Sequence, residues 1–350
     1  MYSLCVFTNM YPTPTHPVSG TFVEASCTAL RDRGVKVTIC HKSDPSPFAY
    51  PAWYRDCHTV IQDHRNDFDL IESTWSPHAA LVPAMEKEDL PFTVRFNGFT
   101  DAGYYKISPA HRWIERYILD RTDAALAVSD RVKQTLRAAG YPEEKIFVVP
   151  PCGIDTDRFK PKPTDTSLFS PSATVFLYAG RIVREKGMDT LLRVVDHCRT
   201  HVPAARFILV GTGDPVYIDR FSKYQNCRVV PPTPYDQMPI WFNVADFLIH
   251  PTFSEGFGMT VVESMACGIP AIASFTGGIR DHLTTQNGIP VRDFMNPMAF
   301  IKAVTLATTL TDGHRAFLAQ NARTTILERY TVDRVAQQTI AVHREVIDRD

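Results

Sequence analysis

The stretch from Phe247 to Ser274 constrains this chain most. Apolar Phe247-Leu248-Ile249 runs into His250-Pro251-Thr252-Phe253-Ser254-Glu255-Gly256-Phe257-Gly258; a helical run follows from about Met259 to Cys267, Gly268 and Pro270 stop it, and Ala271 to Ser274 resumes as an apolar strand. A strand, loop, helix, strand unit belongs to α/β architecture. Gly256 and Gly258 take away the side chains that would keep a ligand off the backbone. The first free N–H groups of the helix, near Gly258 to Val261, point at whatever lies above them. Such a terminus favours an anion, and phosphate is the commonest one.

Two carboxylates bracket that hole, Glu255 before it and Glu263 after it. At about 1.5 Å of rise per helical residue they stand at most roughly 12 Å apart. That is the reach of an extended nucleoside diphosphate sugar, with one carboxylate on the sugar and the other on the ribose hydroxyls. Without its context the same pattern fits a buried turn with a capping glutamate and a surface glutamate. The wording Pro251-Thr252-x-x-Glu255-Gly256-Phe257-Gly258-Met259-x-x-x-Glu263-x-Met265-Ala266-Cys267-Gly268-x-Pro270 resembles the signature of retaining glycosyltransferases of family 4, which have the GT-B fold.

A second stretch resembles the same family. Gly180-Arg181-Ile182-Val183-Arg184-Glu185-Lys186-Gly187 matches its Gly-Arg-x-x-x-x-Lys-Gly turn. Arg181 supplies a forked donor and Lys186 a point charge, and together they can stabilise a diphosphate leaving group without a metal. The plainer reading is a solvated pair of surface charges.

At 350 residues the chain exceeds a usual single core, so two domains are expected. Hydrophobic content of 44% with 21% charged residues describes a globular protein. A net charge of −1 argues against nucleic acid held by a bulk field. No apolar run reaches the ~18 residues that a membrane span needs. Met1 to Met10 lacks the basic start and apolar length of a signal peptide and reads as the first strand. The eight cysteines sit singly, which suits free thiols in a reducing cytosol.

From the start of the chain, Tyr2 to Phe7 reads as a strand, Thr21 to Arg33 as a helix and Val35 to Cys40 as a strand, the opening of a parallel sheet. There is no Gly-x-Gly-x-x-Gly fingerprint here, which weakens any dinucleotide reading. Gly20, at the helix entrance, lies where the resemblance places a first-domain glycine loop; an ordinary turn glycine is the alternative. Residues 41 to 65 read as a variable loop with a short helix. Strands are expected at 69 to 73, 92 to 96, 124 to 129 and 146 to 149, with helices at 77 to 88, 108 to 121 and 130 to 139.

Asn97-Gly98-Phe99-Thr100-Asp101 follows the strand at 92 to 96, on the edge where α/β sheets place ligands. Relatives carry His-Gly-x-Asp there, whereas this chain has Asn97, and Asp101 comes one residue late. Both are acceptor-side candidates, with Asp101 as an acceptor-orienting group or base; capping of the next helix is the alternative. The helix at 108 to 121 carries Arg112, Trp113, Arg116 and Tyr117, a face suited to peripheral membrane contact. Ile114, Ile118 and Leu119 form a core stripe on it, so a packed scaffold helix is preferred. Cys152 replaces the asparagine of the family's Pro-Asn-Gly-Val-Asp…Phe segment and reads as a packing thiol.

Residues 161–173 form a Pro, Ser and Thr linker. In the second domain, His197 and His201 are four apart on one helix but lack an obvious third metal ligand. Gly211 turns the chain at a strand end, and Pro215 prevents an ordinary nucleotide-fingerprint helix. Tyr235, in the loop that borders the base in relatives, is a weak stacking candidate. The last helix, 331 to 347, has a broad apolar face and in the resemblance crosses back onto the first domain as part of the interdomain hinge.

The expected architecture is therefore two Rossmann-like α/β domains with parallel sheets facing across a cleft. Residues 1–160 would form the acceptor side and 174–330 the nucleotide-sugar side. The resemblance implies transfer of a sugar, with retention, from a nucleotide sugar to a glycan or lipid-linked hydroxyl acceptor. It implies no cofactor, no metal and no nucleic acid, and a cytoplasmic place, peripheral at the inner face of the membrane where the first domain touches it. Catalytic candidates are Glu255, Arg181, Lys186 and Asp101. Donor-binding candidates are Gly20, Gly180, Arg181, Lys186, Gly211, Tyr235, Glu255, Gly256, Phe257, Gly258, Met259, Thr260 and Glu263. A GT-B nucleotide-sugar epimerase, a silent nucleotide-sugar-binding protein and a dehydrogenase are the alternatives.

Overall fold

The computed structural model describes residues 1–14, 19–44, 46–74, 77–98, 109–163, 170 and 172–349. The chain divides into two compact units, 1–153 with 332–350, and 154–331. The first unit thus closes at Gly153, earlier than residue 160. The reason is local: the Ile154 amide donates to the Tyr330 carbonyl and Phe159 packs on Phe242, so both belong to the second unit.

The first unit holds β1 (Ser3–Thr8), β2 (Lys36–His41), β3 (Leu70–Thr74), β4 (Phe92–Phe96), β5 (Ala124–Ala127) and β6 (Ile146–Val148). They form one sheet in the order β2-β1-β3-β4-β5-β6, every pairing parallel. β3, β4 and β5 are buried along their whole length, as apolar strands covered on both faces must be. Its helices are α1 (Thr21–Arg31), α2 (Tyr50–His64), α3 (Pro77–Glu86), α4 (Pro109–Arg121), α5 (Asp130–Ala138) and α12 (Val332–Ile347).

α2, fifteen residues long, is longer than the short helix expected within a loop over 41 to 65. Its polar sequence conceals one apolar residue per turn, and Trp53, Cys57 and Ile61 are the three it buries. On α4, Ile118 is buried while Trp113 stays 65% exposed. The Trp113 ring stacks on Tyr117 at 5.6 Å, and the Arg121 guanidinium lies 3.8 Å from the Tyr117 ring centre.

α12 packs on α1 and adds Val335, Val342 and Val346 to the core of Tyr2, Leu4, Val6 and Leu70. It also carries His343 into a buried polar chain. Arg95 donates to Glu72 at 3.1 Å, His343 Nε2 bonds the other Glu72 oxygen at 2.9 Å, and the Tyr2 hydroxyl meets His343 Nδ1 at 2.7 Å. Burial alone would raise the Glu72 carboxyl, but Arg95 and His343 outweigh it and hold it at about 2.

The second unit holds β7 (Thr174–Ala179), β8 (Ala205–Val210), β9 (Cys227–Val230), β10 (Phe247–His250), β11 (Ala271–Ser274) and β12 (Gly288–Val291). These too form a parallel sheet, in the order β12-β11-β10-β7-β8-β9. Its helices are α6 (Met188–His201), α7 (Pro215–Ser222), α8 (Met238–Val244), α9 (Met259–Ala266), α10 (Pro297–Thr309) and α11 (Asp312–Arg329). A helix does follow the turn after β8, and Pro215 begins it. It occupies the first turn, where a missing N–H costs nothing, and Asp214 caps the Val216 amide. The strand order reverses between β7 and β10, and an open α/β sheet leaves its crevice beyond the carboxyl ends of such a pair.

Candidate functional site

The loops that leave β7, β8, β10 and β11 are tied together at that switch point. After β7 the turn pairs with the turn after β8: the Ile182 amide donates to Thr212 and the Asp214 amide to Ile182. The same turn meets the β10 loop, where the Phe253 amide donates to the Glu185 carbonyl. Gly187, at φ +79°, makes that approach feasible, since a Cβ there would stand 1.9 Å from the Pro251 carbonyl oxygen. From β11, the Gly278 amide donates to the Glu255 carbonyl.

Within this cluster Lys186 Nζ lies 2.7 Å from Glu255 Oε2, and His250 Nε2 approaches the same oxygen at 3.4 Å. His250 is buried, whereas Lys186 and Glu255 are each about one-fifth exposed, so the pair reaches solvent from a sheltered base. Burial would lift the Glu255 carboxyl. The His250 hydrogen bond and the Lys186 charge overcome that and hold it at about 2. With those partners in place Glu255 carries its negative charge at neutral pH.

Gly258 opens α9 at φ +96°. The amides of Gly258, Met259 and Thr260 donate to no backbone carbonyl among the described residues, which leaves free donors at the helix end beside the Glu255 stem. One turn along, Glu263 is 7% exposed and accepts a 2.9 Å hydrogen bond from the Tyr235 hydroxyl. Burial pushes the Glu263 carboxyl up to about 7, the tyrosine bond opposing only in part. No cation pairs with it among the described residues.

Of the predicted donor residues, Lys186, Glu255, Gly256, Gly258, Met259, Thr260 and Glu263 thus gather around α9. Gly180 and Gly211 sit at the ends of β7 and β8, their amides donating to the Val210 and Val230 carbonyls. Arg181 is two-thirds exposed and paired at 3.6 Å with Glu185. Phe257 turns its ring into the protein, against Tyr330 and His282. The Tyr235 ring packs at a tilt against Phe159, 5.3 Å between centres, and its hydroxyl donates to Glu263.

In the first unit, Gly20 is the N-cap residue of α1, at φ +67°. Asn97 follows β4 with neither amide atom hydrogen bonded among the described residues. Asp101 lies outside the described residues. His197 and His201 stack on each other at 4.2 Å, and no group of three metal-ligating side chains occurs among the described residues.

Residues 19–158 match the profile of Glycosyltransferase Family 4, and residues 173–309 match that of Glycosyl transferases group 1. The chain belongs to the GT-B glycosyltransferases of the family 4 type. D-inositol 3-phosphate glycosyltransferase of Xylanimonas cellulosilytica is 28% identical over 256 residues, 67% of this chain and 60% of that protein. The match thus spans less than two thirds of this curated relative. Sucrose-phosphate synthase from Thermosynechococcus elongatus has a similar structure, with TM-score 0.85, 18% identity and 100% of both chains covered. Anabaena Alr3699/HepE in complex with UDP and glucose gives a TM-score of 0.77 at 18% identity, covering 99% of this chain and 100% of that one.

Two histidines of this GT-B chain escaped the sequence reading. His250, five positions before Glu255, had a signal, because a polar residue ending an apolar strand at a ligand edge is worth a role. His282 had none. It is 1% exposed with neither ring nitrogen hydrogen bonded among the described residues, and burial pushes it down to about 3.

Proposed function

We propose that this chain is a retaining glycosyltransferase that moves a sugar from a nucleotide-diphosphate sugar to a hydroxyl of a glycan or lipid-linked acceptor. The observation that carries the reading is the Lys186–Glu255 pair beside the free amide end of α9. A diphosphate seated on those amides would meet Lys186 and, after a rotamer change, Arg181, whose pairing with Glu185 is solvent-exposed and weak. The two cations and the helix end disperse the charge that grows on the leaving phosphate, with no metal required.

Glu255, ionised throughout, accepts hydrogen bonds from the donor sugar and faces the positive charge that develops at the anomeric carbon. Glu263 takes the ribose hydroxyls. The departing phosphate oxygen, on the same face as the acceptor, removes the acceptor proton, so retention needs no separate base. In this reading Asn97 and Asp101 serve the acceptor, any membrane contact runs through α4, and the free thiols fit a reducing cytosol.

Lys186→Ala and Glu255→Ala should each lower turnover by about 100- to 1000-fold with folding intact. Turnover at the wild-type rate in both would reject the site. A thermal-shift panel of UDP, GDP, ADP and their sugars names the base, since only a bound ligand raises the melting temperature. Turnover should persist with a chelator present, and proton NMR of the product should show the donor's anomeric configuration; an inverted product ends the retaining mechanism.

A further inference from the structure

The Tyr235 hydroxyl has a partner of its own, Glu263. It comes from the segment between β9 and α8, and its ring is held on Phe159 at 5.3 Å with the Arg158 guanidinium 5.9 Å from its centre. That brace aims the hydroxyl at Glu263 Oε1, 2.9 Å away, while Oε2 has no partner among the described residues. A carboxylate so held has one oxygen fixed and one left to accept from a diol.

We propose that Tyr235 is a positioning residue for the ribose site: it clamps Glu263 through Oε1 and presents Oε2 to the ribose hydroxyls. The proposal rests on the donor-site reading above and adds to it a residue that never touches the ligand. A charged Oε2 accepts from a hydroxyl more strongly than a neutral carboxyl oxygen does, so the ionised carboxyl binds ribose best. Burial works against ionisation, and the Tyr235 hydroxyl works for it. Other charged or titratable groups around the pair leave that balance alone. Cys267, one turn on, is a thiol pushed up to about 12. Arg323 is committed to the carbonyls of Phe159, Ala266 and Thr156. Arg158 sits over the tyrosine ring and pairs with Asp155 at 3.5 Å.

The test is calorimetric titration of the full chain with UDP, GDP and ADP on both sides of the Glu263 midpoint near pH 7. Wild-type affinity for the preferred nucleotide should fall on the acid side. Tyr235→Phe keeps the ring and removes the hydroxyl, so its acid limb should move to higher pH, with affinity about fivefold weaker near neutrality and close to wild type in alkali. In a Glu263→Ala background, which has no acceptor to clamp, Tyr235→Phe should change nothing further.

A loss that is the same at every pH, or an unmoved acid limb, would overturn the clamp while leaving the donor site standing. Failure of the wild type to bind any of the three nucleotides would overturn both. A carbon-13 NMR titration of ligand-free protein, with Glu263 assigned through Glu263→Gln, reads the same carboxyl without a nucleotide; an identical midpoint in Tyr235→Phe would count against the proposal.

Discussion

Glu255 and Glu263 stand on one loop and helix, and their surroundings push their protons in opposite directions. Glu255 has a cation and a histidine; Glu263 has burial and one hydroxyl. The sign for stability follows from each. A carboxyl lifted to about 7 holds its proton in the folded state longer than in the unfolded one, so folding loses stability as pH climbs from the ordinary carboxyl range through 7. Glu263→Gln should therefore stabilise the protein above neutral pH, by up to the order of 3 kcal/mol, while weakening nucleotide binding. Melting curves at acid and alkaline pH check this, and an equal effect at both would contradict it. Glu255 runs the other way: its contribution is present above the usual carboxyl range and is lost as pH falls towards 2.

At the scale of the element, α9 begins where it does because Gly258 adopts a left-handed conformation that other residues resist. A Cβ there would stand 2.9 Å from Ile279 Cγ1, a contact that side-chain movement can relieve. At Gly187 the obstacle is the Pro251 carbonyl at 1.9 Å, which is backbone. Gly187→Ala should accordingly cost more than Gly258→Ala, about 3 kcal/mol against about 1, with denaturant unfolding as the measure. Both variants should also bind nucleotide less well, because each moves a loop on which the free amides depend. A Gly187→Ala protein as stable as wild type would show that the turn after β7 does not need its seat on the β10 loop.

Across the whole molecule, the last helix completes the first unit although the second unit separates them in sequence. Removing residues 332–350 would bare the apolar face of α1 and leave Glu72 and Arg95 without His343 and Thr339. Calorimetry should then show the first unit's transition lost or strongly lowered and that of residues 154–331 preserved; one unchanged transition for the whole chain would refute it. The α/β alternation, the parallel strands and the glutamates of the β10 loop were legible in sequence because apolar runs, glycine stops and charged turn residues are local signals. The extent of α2 was not, since one buried residue per turn among polar neighbours leaves a faint pattern. The amino-acid order by itself determined which residues line the loops at the ends of β7 and β10. Only tertiary structure decided that Lys186 and His250 share one oxygen of Glu255, that Tyr235 turns to Glu263, and that His343 closes a chain begun at Tyr2, because proton affinity and hydrogen bonding depend on neighbours brought from far along the chain.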